Sequence, residues 1–362
     1  MINKSAQSGF ILVMALMIIS LVVLITGIMT NVGDSYVPYM VAMGQRNKAR
    51  MLALGGIACA QSQLGMVVES EKSKDEKQPQ KAPTSDQEAV GLLKNILPIL
   101  NKWQTVPLTL EKEGVDGTIQ FRIACEDGKL NLNELFDFKA KKFKDDKKGD
   151  KSIKALLVTL LAPVEKRMKT PELVQAIETV LAKRGYPLND ITELLTNAGF
   201  AGFKHVLFPS LEAHTKKSAE STPPFTLSDL FTTHTNQMTV EPWLLSDALR
   251  RLCNIPEQET KQHKKDEQEK IAELLKKFKG SADWNKDWDE RLKPFYGVTL
   301  KQLPQNITQI FTKSFEPRIF SVMVSATVGD STQRLYAILE RIKKSQDTKT
   351  LYDIYIRTFY WI

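Results

Sequence analysis

The sequence is poor in the residue patterns from which catalytic and metal sites are usually built. Its three cysteines, Cys59, Cys125 and Cys253, form no C-x-x-C pair, so neither a zinc site nor a redox pair is indicated. G-x-S-x-G, H-E-x-x-H, P-loop and Rossmann glycine motifs are absent. The histidines are widely spaced and have no ligand spacing: His205, His214, His234 and His263. We therefore predict that the chain is not an enzyme.

The cysteines and the charge also leave some questions open. Cys125 and Cys253 could pair in an oxidising compartment, but a sequence cannot give connectivity. The 362 residues carry a formal net charge of +8, yet the lysines lie in mixed runs with acidic residues. Such runs are usually solvated faces, and basic and aromatic residues are not interleaved, so no nucleic-acid partner is expected. The length allows two modest domains or one domain with a large insertion.

Charge is missing altogether between Lys4 and Asp34. Residues 10–29 read FILVMALMIISLVVLITGIM, and about 20 helical residues span the hydrocarbon core of a bilayer. We predict a single transmembrane helix over residues 10–29. The flanking charges do not settle its orientation, because basic residues lie on both sides of it.

The short polar segment before this helix differs from an ordinary secretory signal. Its plausible cleavage point lies between Gly9 and Phe10, ahead of the apolar run, so that cleavage would leave the helix on the mature protein. This arrangement resembles the class III signal of type IV pilins and type II secretion pseudopilins. The resemblance implies a leader over residues 1–9, cleavage by a prepilin peptidase between Gly9 and Phe10, and N-methylation of Phe10. A plain uncleaved anchor is the alternative.

The helical pattern continues beyond the membrane. Leu54, Ile57 and Leu64 fall on one stripe, so we predict a long helix over residues 10–68 that bends or breaks briefly near residues 31–38. Residues 69–105 are predicted to be a charged linker followed by a short helix. The amphipathic half of the long helix needs a surface on which to pack.

Strand patterns lie on either side of a long helical region. We predict the first strands over residues 106–133, with a D-G turn at Asp116 and Gly117, and closing strands over residues 314–362. Residues 134–313 have helical spacing, and the charged part of them, residues 256–294, is predicted to be a peripheral excursion of unknown role. The fold class is therefore α+β: a long N-terminal membrane helix and an antiparallel sheet, with a large all-α domain inserted between strands.

Residues 126–133, EDGKLNLN, form the second informative stretch. On physical grounds they read as an ordinary strand-to-helix turn. Together with residues 49–64, DITELL at residues 190–195 and the ending at residues 320–341, however, they resemble the K-type minor pseudopilin family of type II secretion, general secretion pathway protein K. Two departures are a missing second asparagine turn, near residues 237–242, and residues 257–293, which have no counterpart in the family.

This resemblance implies a type IV pilin-like fold in a single-pass inner-membrane protein whose C-terminal head lies in the periplasm. The implied partners are the I-, J- and H-type minor pseudopilins, the prepilin peptidase and the inner-membrane secretion platform. The family also allows for calcium, but the carboxylate clusters lack EF-hand spacing, and we interpret them as surface charges. They are Asp145, Asp146 and Asp150, and Asp283, Asp287 and Asp289. The metal ligands are left unassigned.

Met14 is the fifth residue after the proposed cleavage point. Most pilins and pseudopilins have glutamate there, which is thought to pair with the amine of the subunit ahead. A carboxylate in the hydrocarbon core is costly unless it is paired, and the first subunit of a fibre has no subunit ahead of it. Met14 and the bulky insertion therefore fit a subunit that initiates and caps a periplasmic pseudopilus. The alternatives are a minor pilin of a type IV or DNA-uptake pilus and a membrane-anchored periplasmic enzyme.

Overall fold

A computed structural model describes residues 4–65, 85–144, 152–170, 172–209, 225–256, 269, 273, 275–276, 278–346 and 349–362. The helices are α1 (Lys4–Gly65), α2 (Ser85–Ile96), α3 (Leu110–Glu113), α4 (Leu132–Leu135), α5 (Ile153–Met168), α6 (Leu173–Arg184), α7 (Leu227–Leu230), α8 (Asp247–Leu252), α9 (Trp284–Arg291) and α10 (Lys293–Tyr296). The strands are β1 (Trp103–Leu108), β2 (Gly117–Cys125), β3 (Leu130–Asn131), β4 (Phe136–Asp137), β5 (Lys142–Phe143), β6 (Phe231–Thr232), β7 (Ile319–Val328), β8 (Ser331–Gln346) and β9 (Lys349–Trp361). Short 3₁₀ turns lie at Glu126–Gly128, Ile191–Thr196, Ala198–Phe203, Leu300–Gln302 and Ile307–Ile310.

A five-stranded sheet in the order β1-β2-β7-β8-β9 forms the centre of the head. All of its neighbouring strands are antiparallel. β2 pairs with β7 along most of its length, with Phe121 opposite Val324, although the whole insertion lies between these strands in the chain. The predicted fold class, with two strands before a helical insertion and three after it, is confirmed.

The second half of α1 packs on one face of this sheet. Its buried side chains recur every three or four residues, as expected for one face of a helix: Ala49, Ala53, Ile57, Ala60 and Leu64. Small residues let the helix approach the strands closely. At Gly56 an added Cβ would lie 2.6 Å from Val324 and 3.0 Å from Ile119, on two different strands.

α1 runs without a break through Pro38, because a proline inside a helix removes one hydrogen bond while the long flanking turns retain theirs, so of the bend or break predicted near residues 31–38 the break does not occur. One predicted boundary is wrong. β1 begins at Trp103, so the predicted boundary at residues 105–106 falls inside a strand; Trp103 and Gln104 pair with Arg122 and Phe121. The linker at residues 66–84 lies outside the described residues, and the short helix after it is α2.

The insertion is mostly helical and irregular, but it is not all-α as predicted, because it also contains short strands. β3 pairs in parallel with β6, and β4 pairs antiparallel with β5. The insertion's two longest described helices are α5 and α6, and α8 spans only six residues. Residues 240–246, just before α8, are buried and have no regular secondary structure. They lie against Asp127 and Gly128.

The prediction of a peripheral excursion is wrong where residues 278–294 are described. Trp284 and Trp288 are 3% and 0% exposed. The Trp288 ring stacks with Tyr296 and Phe311, at centroid distances of 6.1 and 5.7 Å, and its indole nitrogen donates to the Val298 carbonyl at 3.0 Å. The two tryptophans are four residues apart on α9, so they share one buried face while the charged residues occupy the other. Residues 257–268 lie outside the described residues.

The close packing at Gly56 leads to a stability prediction. Gly56→Ala should be less stable than Gly55→Ala by about 1–3 kcal/mol, because the new methyl group overlaps Val324. Gly55 is the matched control: it is the neighbouring helical glycine, and the nearest atom to its added Cβ is 4.0 Å away. Urea unfolding of the detergent-solubilised chain measures the difference. Equal stability of the two variants would contradict the packing described here.

Candidate functional site

The first half of α1 is an exposed apolar rod. Its described large apolar side chains between Leu12 and Met29 are all exposed, from 46% at Met14 to 71% at Met29. This is the one described helix that is long and apolar enough to cross a membrane. The hydroxyls of Thr26 and Thr30 each donate to the carbonyl four residues earlier at 2.8 Å, so the helix satisfies its own polar groups, as a hydrocarbon environment requires.

The residues predicted for processing and assembly all lie on this rod. Gly9 and Phe10 are in helical backbone near the start of α1, and Met14 follows Phe10 by four residues. Residues at this spacing share a helix face, so Phe10 and Met14 belong to one uncharged stripe. A structure of the chain does not test whether it is cleaved before Phe10 or whether Phe10 is methylated, so both remain predictions.

The head is joined to its insertion by the stretch at residues 126–133. At Gly128, any Cβ would overlap the carbonyl oxygen of Leu244. The amide of Ser246 donates to the Gly128 carbonyl at 3.1 Å, and the amide of Glu241 donates to the Asp127 carbonyl at 2.6 Å. Gly128 is therefore required because the chain of the insertion lies directly against its Cα.

The two asparagines of this stretch hold two other parts of the insertion. The Asn131 side chain accepts from the amides of Asn133 and Glu134, capping α4, and donates to the Thr235 hydroxyl at 2.8 Å. The Asn133 side chain donates to the Leu188 carbonyl at 2.9 Å and accepts from its amide at 2.7 Å. The interpretation as an ordinary turn is therefore incomplete: these residues connect segments that are distant in sequence.

A buried ion cluster lies beside this connection. Arg122 on β2 is 2% exposed; it makes a two-pronged contact with Asp229 at 3.0 and 3.2 Å and reaches Asp247 at 2.8 Å. Burial alone would lower the pKa of Arg122, but the two carboxylates raise it above its usual value. Because Asp229 and Asp247 belong to the insertion, the cluster attaches the insertion to the sheet.

A second buried pair joins Glu126 and Lys129, which are 1% and 2% exposed. Lys129 also donates to the Ser321 hydroxyl on β7 at 3.1 Å, and the Tyr336 hydroxyl on β8 lies 3.4 Å from Glu126. Burial alone would raise the pKa of Glu126, but Lys129 and His234 lower it below its usual value. Glu126 therefore stays ionised, and the pair connects the stretch to two strands of the sheet.

Asp127 and Glu241 form a different kind of buried site, because no described salt bridge reaches either carboxylate, and the charge of Arg318 offsets the raised pKa of Asp127 only in part. Asp127 accepts the amides of Arg318 and Ile319 at 2.9 and 3.2 Å, and burial raises its pKa to about 6. Burial, together with the nearby Asp127, raises the pKa of Glu241 well above its usual value. Ionisation of either buried carboxyl group therefore costs free energy in the folded protein.

The carboxylate clusters considered for calcium have structural roles or lie outside the described residues. Asp283, Asp287 and Asp289 lie at the surface, and they also have local roles: Asp283 caps α9, and Asp287 accepts from the Ser281 hydroxyl at 2.7 Å. Asp289 accepts the amide of Leu300 at 2.9 Å. Within the described part of the chain, no group of three or more potential ligands could hold a metal ion. Asp145, Asp146, Asp150, His214 and His263 are not described.

The cysteines are all free thiols. Cys125 and Cys253 are buried, and Cys59 is half-buried. Burial raises the pKa of the Cys253 thiol to about 12, and burial together with Asp127 raises that of Cys125 well above its usual value. Both buried thiols are thus in the unreactive protonated form at neutral pH.

Comparisons with known proteins give a likeness at the level of structure. No protein-family model matches the chain, and the search of curated proteins gives no match. The chain is similar to a chain in the crystal structure of the GspK-GspI-GspJ complex from the enterotoxigenic Escherichia coli type 2 secretion system. The two are 12% identical, 91% of this chain and 98% of that chain are covered, and the TM-score is 0.40. The function proposed below rests on this chain's own residues and geometry.

The pKa of Asp127 leads to a prediction about pH dependence. The unfolded chain ionises this group near its usual pKa of 3.8 and the folded chain only near 6, so its contribution makes folding less stable as pH rises between these values. Asp127→Asn keeps an oxygen that can accept the two amides. The variant should therefore gain stability relative to the natural chain over this range, by about 2–3 kcal/mol at pH 7.

Urea unfolding at a series of pH values tests this expectation. Asp289→Asn is a suitable control, because Asp289 also accepts a backbone amide but lies at an exposed position. A stability difference between Asp127→Asn and the natural chain that does not change from pH 4 to pH 7 would rule out the raised pKa.

Proposed function

We propose that the protein is a minor pseudopilin that initiates and caps the tip of the periplasmic pseudopilus in type II protein secretion. The observation that carries the proposal is α1, a single helix with an exposed, uncharged apolar half and a second half packed into the head. A soluble head with an ordinary anchor does not need a continuous helix between the two. Such a helix is needed in a subunit that must hold its head at a fixed position above a bundle of membrane helices.

Met14 supports a place at the start of the fibre. It lies among exposed apolar side chains, on the same helix face as Phe10, and no charged residue lies near it on the helix. A subunit inside the fibre benefits from a carboxylate here only because it meets the amine of the subunit ahead. The first subunit has no such partner and would carry an uncompensated charge in the hydrocarbon layer.

The form of the head gives independent support. Residues between β2 and β7 make an insertion that is anchored to the sheet through buried contacts at Arg122, Gly128 and Asn131. It is therefore a fixed body rather than a loosely tethered domain. A fixed insertion of this size would hinder stacking along a fibre shaft, whereas a tip subunit has free space on one side.

The proposal implies a defined set of partners and a defined location. The membrane helix would bundle with those of I-, J- and H-type minor pseudopilins through apolar packing and small residues such as Ala15, Ser20 and Gly27. A prepilin peptidase would cut the chain between Gly9 and Phe10 and methylate Phe10. The anchor would lie in the inner membrane near the secretion platform, with the head in the periplasm.

Mass spectrometry of the N-terminus tests the processing step. After co-expression with an active prepilin peptidase, the mature chain should begin with a methylated Phe10. Gly9→Val should block this cleavage, because the peptidase acts after glycine, whereas Gly27→Val should be processed normally. An intact Met1 on the natural chain, with the peptidase shown to be active on another substrate, would refute the pseudopilin assignment.

A second test concerns position 14. Met14→Glu places an unpaired carboxylate in the membrane helix, at a cost of about 2.5–3.5 kcal/mol if it stays charged. We expect fewer pseudopili and less secreted protein, with the head still folded by circular dichroism. Met14→Leu, which keeps an apolar side chain, should behave as the natural chain. Normal secretion by the Met14→Glu variant would count against a tip position.

A further inference from the structure

The two edge strands of the five-stranded sheet differ in length and composition. β1 at one edge has six residues, and its two exposed residues are Thr105 and Pro107. A short strand with a proline is a usual way to prevent another strand from pairing with an edge. β9 at the other edge has 13 residues and contains neither proline nor glycine. The sheet is therefore protected at one edge and not at the other.

The second half of β9, residues 355–361, is called the open edge below. Three of its large apolar side chains are 40–48% exposed: Trp361, Ile356 and Phe359. Their partners on β8 are buried in the core that α1 also enters: Leu335, Leu339 and Ala337. The one charged residue of the open edge, Arg357, makes a two-pronged contact with Glu340 on β8, so its charge is paired within the sheet. Apolar side chains therefore dominate the open edge on the side where α1 lies.

α1 runs beside the open edge and leaves space there. The Arg50 guanidinium lies over the Trp361 ring at 5.4 Å, and Gln61 donates to the Ile354 carbonyl at 3.0 Å. Among the described residues, this is the one hydrogen bond that reaches the backbone of β9 from outside the sheet. Leu54 lies between Arg50 and Gln61 on the same helix face and is still 41% exposed. The flank of α1 and the open edge are thus both uncovered.

We propose that the open edge binds an extended segment of a partner protein, which adds a strand to the sheet and has an apolar side chain at every second position. The backbone groups on the outer side of an edge strand can pair with an extended chain. Alternate side chains of the added strand lie on one face, where they would cover Leu54, Ile356 and Phe359. One segment therefore satisfies the unpaired backbone and buries the exposed apolar side chains together.

The direction of β9 favours a different protein over a second copy of this chain. The contacts of Arg50 with Trp361 and of Gln61 with Ile354 make β9 antiparallel to α1. The usual twofold pairing of identical edges is antiparallel. It would hold the two α1 helices in opposite directions, so that their apolar halves could not enter the same membrane. This step alone rests on the membrane anchor of the function proposed above; the edge itself does not.

Two labelled peptides test the proposal on the full chain in detergent. Ac-Lys-Val-Thr-Val-Thr-Val-Lys-NH₂ can form a strand, whereas Ac-Lys-Val-Pro-Val-Pro-Val-Lys-NH₂ keeps the valines and the charge but lacks two amide donors. Fluorescence anisotropy measures both affinities, with detergent alone as the blank. We expect the threonine peptide to bind about tenfold more tightly or better, since two backbone hydrogen bonds are worth that much. At saturation it should also slow amide hydrogen exchange within residues 355–361.

Two variants of β9 locate the binding. Phe359→Lys places a charge beside Leu54 and should weaken binding of the threonine peptide about tenfold or more. Tyr355→Lys lies on the opposite face of β9 and should keep the affinity of the natural chain. The two side chains are 48% and 51% exposed, so both variants should fold, as circular dichroism would show.

Three results would overturn the proposal. Equal affinity of the natural chain for the two peptides would mean that apolar contact, not strand pairing, explains the binding, and binding of neither peptide would mean that the edge does not accept a strand. A dimer of the natural chain in sedimentation, dissociated by the threonine peptide, would mean that the edge takes a second copy. None of these results depends on cleavage after Gly9, so the proposed function can fail or hold separately.

Discussion

The pairing of β2 with β7 is the contact on which the rest of the head depends. It brings together two strands that are separated in the chain by the whole insertion, and it is continuous from Thr118 to Cys125. α1 packs across both strands at Gly56, so the helix has no complete surface until they have paired. The same pairing holds the two ends of the insertion side by side. One antiparallel ladder thus positions the membrane helix, the sheet and the insertion relative to one another.

Much of this architecture could be predicted because it is encoded in short-range periodicity. The long helix follows from an apolar run and a continuing stripe, and β7 follows from alternating β-branched residues. The burial of Trp284 and Trp288 was harder to predict from the sequence, because lysines and acidic residues dominate the composition of the segment around them. Their spacing of four residues was the available signal. Local turn chemistry suggested a role for Asn131 and Asn133, but their partners Thr235 and Leu188 come from distant sequence.

The candidate site likewise has one part that the sequence predicts and one part that it does not. The apolar rod that contains Gly9, Phe10 and Met14 can be predicted from the sequence, because a helix that spans a membrane must have a certain length and must be apolar. The charged groups of the head are not, because their roles depend on partners brought together by folding. Arg122 is neutralised by carboxylates of the insertion, whereas Asp127 and Glu241 lie near each other and make no salt bridge with the described residues. Composition alone cannot distinguish these buried charges from the many exposed ones.

The unbroken course of α1 has a mechanical consequence. Its 62 residues make a rod roughly 90 Å long, and the last turns of that rod are part of the hydrophobic core of the head. Backbone hydrogen bonds run along such a helix from turn to turn, so it resists a change in its length. A displacement of its apolar end along the helix axis would therefore move the sheet and the attached insertion by the same step.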